Sequence, residues 1–237
     1  MGDRIKLEHF FRYYQDPPLP HQQAAVRMLE EAMPAELLQR TAPWVQTYRA
    51  AGKQPEKRPI SNPLRVRYFS QLDSKTRHAS RMCFSSACAM LLETIKPGTL
   101  AGPNGDDTYL GRVLKYGDTT TPRAQIKALE SFGVRAEFCM NGSFAQVREL
   151  LDKGIPVPMG ILHQGLVEMP TGGGHWITAI GYDSESLIVH DPFGDLDLIR
   201  GRYLNNWGAR LRYSYKNTGP RWMVEGEGSG WYIRANL

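Results

Sequence analysis

Two strand patterns close together in the sequence most constrain how this chain can fold. The first is "HWITAIGY" at residues 175–182, and the second is "SLIVH" at residues 186–190. Both are rich in β-branched and aromatic residues, which favour strands. Two strands joined by so short a loop pair as an antiparallel hairpin. The chain is therefore predicted to contain an antiparallel sheet with this hairpin in it.

The hairpin predicts which residues face each other. If residues 181–185 form a five-residue loop, Ile180 pairs with Ser186, and counting outward places His175 opposite Asp191. Directly opposed residues share one face of a sheet, with Cβ atoms about 5 Å apart. The register therefore predicts an imidazole beside a carboxylate. A loop shorter by one residue would separate them, because each strand alternates its faces.

Helical patterns dominate the first part of the chain, and strand patterns dominate the second. Helices are predicted at 83–95, 121–133 and 143–154, and further strands at 64–71, 155–162, 221–225 and 230–236. This segregation indicates an α+β layer fold and not alternating βαβ units. The segment at 51–63 is polar and contains three prolines, as linkers do. We predict a small helical appendage at 1–50, a linker at 51–63 and the main domain at 64–237.

Cys83 begins the predicted helix "CFSSACAMLLETI". The unpaired N–H groups of a helix start, and the positive end of its dipole, favour a thiolate there. Cys88 lies one turn further along, on the apolar stripe, and is predicted to be a small core residue. We interpret Cys83 as a nucleophile; a buried structural thiol is the alternative.

A nucleophilic cysteine requires a base, an orienting group and donors for the oxyanion. His175 follows three glycines at the start of a strand, where a substrate backbone can approach closely. We predict that His175 is the base and that Asp191 orients it. The oxyanion donors are predicted to be the N–H of Cys83 and the side-chain amide of Gln71. No metal ion or organic cofactor is implied.

The motifs "YFSQLD", "CFSSACAM", "GGGHWITAIGYD" and "VHDPFG" resemble the bacteriocin-processing-peptidase-like group of papain-type cysteine peptidases. The resemblance carries onto Gln71, Cys83, Met90, His175 and Asp191 in that order. It implies a papain-like α+β fold and a cysteine peptidase activity. It covers about residues 64–200, although Phe-Ser follows the cysteine where the group often has Gly-Pro.

A second resemblance is to cell-wall lysis proteins of bacteriophages that infect cyanobacteria, and it bears on the substrate. The net charge of +5 suits an anionic surface. The basic residues are scattered, so a nucleic-acid partner is not expected. No apolar stretch is long enough for a membrane span, and no secretory signal is recognisable. We expect a monomer made in the host cytoplasm that acts at the wall after release.

The sequence therefore predicts a cysteine-dependent amide hydrolase, with peptidoglycan as the first candidate substrate. Two alternatives stay open. One is a peptidase that cleaves a protein or a leader peptide. The other is a non-catalytic wall-binding or virion protein that kept the peptidase fold.

Overall fold

The computed structural model describes residues 62–236. Within them lie five α-helices: α1 (Cys83–Ile95), α2 (Gly105–Val113), α3 (Pro122–Ser131), α4 (Phe144–Asp152) and α5 (Tyr215–Trp222). The strands there are β1 (Arg135–Gly142), β2 (Val157–Ile161), β3 (His175–Tyr182), β4 (Ser186–His190), β5 (Asp195–Asp197), β6 (Arg202–Asn205), β7 (Leu211–Ser214) and β8 (Gly230–Asn236). The predicted appendage at 1–50 and most of the predicted linker lie outside the described residues.

A six-stranded antiparallel sheet is the framework of the domain. Its strand order is β1-β8-β2-β3-β4-β7, while β5 and β6 form a separate two-stranded sheet. Helix α1 packs against β2 and β3, and α2 and α3 pack against α1. This combination of helices with an antiparallel sheet confirms the predicted α+β class. None of the helices within residues 62–236 combines the length and the apolar character that a membrane span requires.

Helix α1 is more deeply enclosed than its sequence indicates. The pattern predicts one apolar stripe, yet every residue from Phe84 to Glu93 is buried. The two serines in this segment are satisfied by buried partners: Ser86 donates to Asp106 at 2.6 Å, and Ser85 lies 2.7 Å from the hydroxyl of Thr119. A helix buried on all sides needs such partners, because an unpaired hydroxyl in the interior is costly.

The β3–β4 hairpin forms as predicted, but its register differs. Tyr182 pairs with Leu187, so four residues lie between the last paired positions and not five. Asp183 closes this loop by accepting hydrogen bonds from the N–H groups of Glu185 and Ser186. The predicted register near the loop is therefore wrong, because an aspartate-closed turn needs fewer residues than we assigned.

A bulge corrects the register further along the hairpin. The pairing shifts at Ile180, so that Thr178 lies opposite His190. Relative to the predicted register the remaining offset is two residues, and an even offset keeps every side chain on its predicted face. His175 and Asp191 therefore share a face as diagonal neighbours, not as an opposed pair.

Two predicted strands are absent from the described structure. The segment at 64–70 is extended but joins no sheet; its backbone bonds instead run from Leu64 to Ile180 and from Gln71 to Pro192. The segment predicted as a strand at 221–225 begins inside helix α5, which Ser214 caps through its hydroxyl. Trp222 is buried and Met223 packs against the core from the end of this helix, so the apolar composition alone misled the prediction.

Arg221 lies in that helix and is fully buried. Its guanidinium donates to four backbone carbonyls, those of Leu162, Gln164, Gly165 and Leu198, at 2.7–3.1 Å. The residues from 162 to 174 connect β2 to β3, so Arg221 fixes the start of the connection that ends at His175. A fork of N–H donors suits several carbonyls at once, which a single ammonium group does not.

We expect Arg221→Met to destabilise the domain by about 3 kcal/mol or more, because buried carbonyls would lose their donors. Urea denaturation of the two proteins measures this difference. Arg200→Met is the matched control, since the Arg200 side chain is 63% exposed and pairs with Asp197. The control should change stability by no more than about 0.5 kcal/mol. Equal effects of the two substitutions would contradict the structural role of Arg221.

Candidate active site

Cys83 is the first residue of α1 and is partly exposed. The residue before it, Met82, provides no side-chain hydrogen bond to the first turn. The N–H groups of this turn are therefore not occupied by a capping side chain, and they point out from the helix start. A partly exposed sulfur at such a position is accessible to a substrate carbonyl, as the sequence predicts.

His175 is the first residue of β3 and pairs with Ile161 on β2. Its imidazole is 4% exposed. The Asp191 carboxylate lies 2.7 Å from Nε2 of the ring, and Cys83 lies near enough to influence its charge. The glycine immediately before it, Gly174, has a φ of +87°, which only glycine adopts without strain. That residue turns the chain sharply into β3 and so positions the ring between the cysteine and the carboxylate.

The Asp191 carboxylate is completely buried and accepts four hydrogen bonds. Oδ1 accepts from His175 Nε2 and from the N–H groups of Phe193 and Gly194, and Oδ2 accepts from the hydroxyl of Tyr213 at 3.0 Å. Donors on both oxygens fix the orientation of the carboxylate. The predicted contact between His175 and Asp191 is thus present. The sequence did not indicate the other three donors to the carboxylate.

The backbone of Asp191 is held as firmly as its side chain. Its N–H donates to the carbonyl of Gly208, and its own carbonyl accepts from the hydroxyl of Tyr68 at 3.0 Å. A Cβ at Gly208 would lie 1.8 Å from the Asp191 carbonyl oxygen, so only glycine fits there. The extended segment at 64–70 contributes Tyr68 and thereby supports the site without being a strand.

The electrostatics of the site favour a protonated His175. Burial on its own would lower the pKa of this ring, but the charges of Asp191 and then Cys83, with hydrogen bonds to both, raise it to about 10. A raised histidine pKa means that the imidazolium is stabilised by its neighbours. The arrangement therefore holds an imidazolium between a buried carboxylate and a sulfur.

Gln71 begins a 3₁₀ turn, Gln71–Asp73, and does not end a strand as predicted. Its side chain is 1% exposed, and its Nε2 donates to the carbonyl of Ala79 at 2.7 Å. One of the two amide hydrogens is therefore occupied. The other remains available, so the predicted oxyanion role of Gln71 stays a prediction.

Two rings beside His175 belong to residues that the sequence did not assign to the site. His163 lies with its ring centroid 5.5 Å from that of His175, and Tyr203 contacts the ring edge-on at 5.8 Å. Burial, and next the charge of His175, lower the pKa of His163 to about 4, so this ring is neutral. Neither residue gave a signal for the site in the sequence, and Tyr203 comes from the distant strand β6.

An apolar groove of about 520 Å³ opens at Cys83. Its lining includes the nucleophile and five aromatic side chains: Phe84, Phe138, Trp176, Trp222 and Trp231. Trp222 is buried, whereas Trp231 is 51% exposed. Within residues 62–236 no group of three or more His, Cys, Asp or Glu side chains is arranged to hold a metal ion.

The thiols of the protein should differ in reactivity. The three cysteines are free, but Cys88 and Cys139 are buried, and burial raises the pKa of each. We expect iodoacetamide to alkylate Cys83 first in the native protein at neutral pH, with the other two reacting only after unfolding. Peptide mapping by mass spectrometry identifies the labelled residue. Labelling of Cys88 before Cys83 would contradict the assignment of the nucleophile.

Asp191→Asn should lower the pKa of His175, because the carboxylate charge that raises it is lost while burial remains. A raised histidine pKa stabilises the fold fully below about 6.5, the ordinary value, and this stabilisation is lost as the pH rises through the folded value. The parent should therefore lose stability between pH 6.5 and about 10. The variant should lack this loss.

NMR titration of the imidazole measures the pKa, and denaturation at several pH values measures the stability. Asp195→Asn is the control, since Asp195 lies on β5 and contacts Asn205, not His175. A parent His175 that titrates near 6.5 would contradict the ion pair.

Comparisons with known proteins agree with this fold. The model of a family described as "Peptidase_C39 like family" matches residues 63–215. A solved protein of Bacillus anthracis, described as a C39-like peptidase, aligns with a TM-score of 0.51 at 15% identity, covering 73% of this chain and 95% of that one. The peptidase domain of Streptococcus ComA, a bifunctional ABC transporter of a quorum sensing pathway, has a TM-score of 0.42 at 16% identity and covers 66% and 91%.

A search of curated proteins finds no match to the sequence. At such low identity the Bacillus anthracis structure bears on the fold alone, and it agrees with the predicted papain-like architecture. The family model extends over most of the described residues, from the extended segment before Cys83 to the strand that carries Tyr213. The chain therefore belongs to the C39-like family of cysteine peptidases.

Proposed function

We propose that the protein hydrolyses amide bonds through Cys83, His175 and Asp191. The observation that supports this proposal best is the buried hydrogen bond between the His175 imidazole and the Asp191 carboxylate, with Cys83 near the same ring and lining an open groove. Each member has the environment that its role needs. The sulfur is at a helix start, the imidazole is held in one orientation, and the carboxylate accepts four donors.

The proposed reaction has two stages. The Cys83 thiolate attacks the substrate carbonyl carbon, and the His175 imidazolium donates its proton to the leaving amine as the C–N bond breaks. A thioester and a free amine result. Water then attacks the thioester, His175 accepts a proton from that water, and the C–S bond breaks to release the acid and the thiolate. Asp191 stays ionised throughout and holds the ring in place.

The negative oxygen of each tetrahedral intermediate needs donors. The N–H of Cys83 lies in the uncapped first turn of α1, where the helix dipole also favours negative charge. Gln71 has one amide hydrogen that Ala79 does not occupy. We propose these two groups as the oxyanion site.

Two substrate classes fit this chemistry. The net charge of +5 and the resemblance to wall-lysis proteins favour a peptide amide of peptidoglycan. In that case the enzyme is made in the host cytoplasm and meets its substrate after release. The apolar groove beside Cys83 favours instead a polypeptide substrate. A non-catalytic role is disfavoured because cysteine, histidine and aspartate are all present and in contact.

Purified protein is to be incubated separately with isolated cell walls and with casein. We expect new amino and carboxyl termini from at least one of them, and no new reducing sugars, because a thiolate–imidazole pair attacks carbonyls and most glycosidases use two carboxylates. Cys83→Ala should reduce the rate by at least about 10⁴-fold, His175→Ala should lose nearly as much, and Asp191→Asn should lose less.

Cys88→Ala is the matched control for the nucleophile, since Cys88 lies on the same helix but inside the core. It should retain the parental rate per folded molecule. The proposed mechanism is excluded if Cys83→Ala cleaves at the parental rate. Release from casein but from no wall would select the polypeptide class, and release from walls alone would select peptidoglycan.

A further inference from the structure

The groove at Cys83 has a wall built from paired aromatic rings. Phe84 and Trp176 are stacked almost parallel, with an interplanar angle of 3° and centroids 3.5 Å apart. Phe138 lies beside them, 6.2 Å from Trp176, and Trp231 meets Phe138 edge-on at 5.7 Å. Rings held in this way present a fixed apolar surface, because each is restrained by its neighbour.

Glycines keep the groove open near its floor and its mouth. Gly160 lies against the Trp176 ring, where a Cβ would approach the ring to 3.2 Å. Gly173 lies two residues before His175, and a Cβ there would meet nothing within 4 Å. Side chains at these positions would narrow the space next to Cys83. The volume of about 520 Å³ lies in the range of small-molecule pockets, about 300–1,000 Å³.

The polar groups of the groove are already engaged. Arg81 pairs with Asp118 at 2.9 Å, and the guanidinium of Arg221 donates to four backbone carbonyls. The indole N–H of Trp222 donates to the carbonyl of Trp231 at 2.8 Å. Neither cation of the lining is therefore free to bind a carboxylate, and Glu225, the acidic residue of the lining, would repel one. The groove is unsuited to the acidic side chains that peptidoglycan stems carry.

We propose that this groove binds a bulky apolar side chain, an aromatic one best, that lies close to the scissile bond of a polypeptide substrate. The inference rests on the proposed function, because Cys83 as the nucleophile is what brings the scissile bond to the mouth of the groove. Trp231, half exposed at the rim, loses its contact with water when such a side chain enters. The groove thereby selects among substrates by burial of apolar surface, and the reaction itself is unchanged.

Cleavage of peptides tests the preference. A mixture of proteome-derived peptides is digested and the new termini are sequenced by mass spectrometry; synthetic peptides then carry Phe, Leu, Gly or Glu at the enriched position. We expect kcat/KM for the Phe peptide to exceed that for the Gly and Glu peptides by at least about 10-fold. Trp231→Ala should reduce kcat/KM for the Phe peptide by about 10-fold and that for the Gly peptide by less than about 2-fold.

Two further variants keep the test independent of folding. Tyr116→Ala is the matched control, since Tyr116 is an exposed aromatic outside the groove lining, and it should leave both values unchanged. Val224→Lys places a cation on an exposed position of the lining. It should lower kcat/KM for the Phe peptide and raise kcat/KM for the Glu peptide. Equal cleavage of Phe, Gly and Glu peptides, or an unchanged preference in both groove variants, would overturn the inference.

Binding separates this inference from the proposed mechanism. The variant Cys83→Ala cannot form a thioester, so its affinity for the same four synthetic peptides, measured by calorimetry, reports the groove alone. Tighter binding of the Phe peptide supports the proposed role of the groove if the added substitution Trp231→Ala abolishes the difference. That result stands even if the parent cleaves none of the peptides, an outcome that would refute the proposed function alone. Cleavage by the parent with no difference in binding refutes the groove and leaves the proposed function standing.

Discussion

The ion pair between His175 and Asp191 is the interaction on which the rest of the site depends. Both side chains are almost fully removed from water, and an isolated buried charge would cost several kcal/mol. Four donors to the carboxylate offset that cost. Removing one partner of such a network leaves the other charge buried without compensation, so the network is stable only as a whole.

Much of the surrounding fold serves to hold that network. Tyr213 reaches Asp191 from β7, at the edge of the sheet, and Tyr68 reaches it from the extended segment before Cys83. Gly208 permits the close approach of a third segment. These residues are far apart in the sequence and belong to elements of different kinds. The β3–β4 hairpin alone therefore cannot form the site, because the geometry around Asp191 requires the other segments of the complete tertiary fold.

The local sequence could predict only those parts of the site that depend on neighbouring residues. The hairpin and the shared face of His175 and Asp191 depend on strand alternation, which tolerates an even error in register, so the contact was predicted even though the loop length was wrong. The bulge at Ile180 has no sequence signal of its own. The N–H groups of Phe193 and Gly194 that bind Asp191 belong to a local turn. The Tyr213 hydroxyl and the carbonyls that Arg221 binds are contacts across more than twenty residues, and no local pattern encodes them. The oxyanion role of Gln71 is likewise still a prediction.

The arrangement of the aromatic rings links reactivity to substrate choice. Phe84 follows Cys83 in the helix, and Trp176 follows His175 in the strand. Their stacked rings therefore join the start of α1 to the start of β3, immediately beside the two residues that must stay in contact. The same two rings form a wall of the groove. A substrate side chain that enters the groove as proposed would pack against these two rings, so its binding would bear on the relative positions of Cys83 and His175.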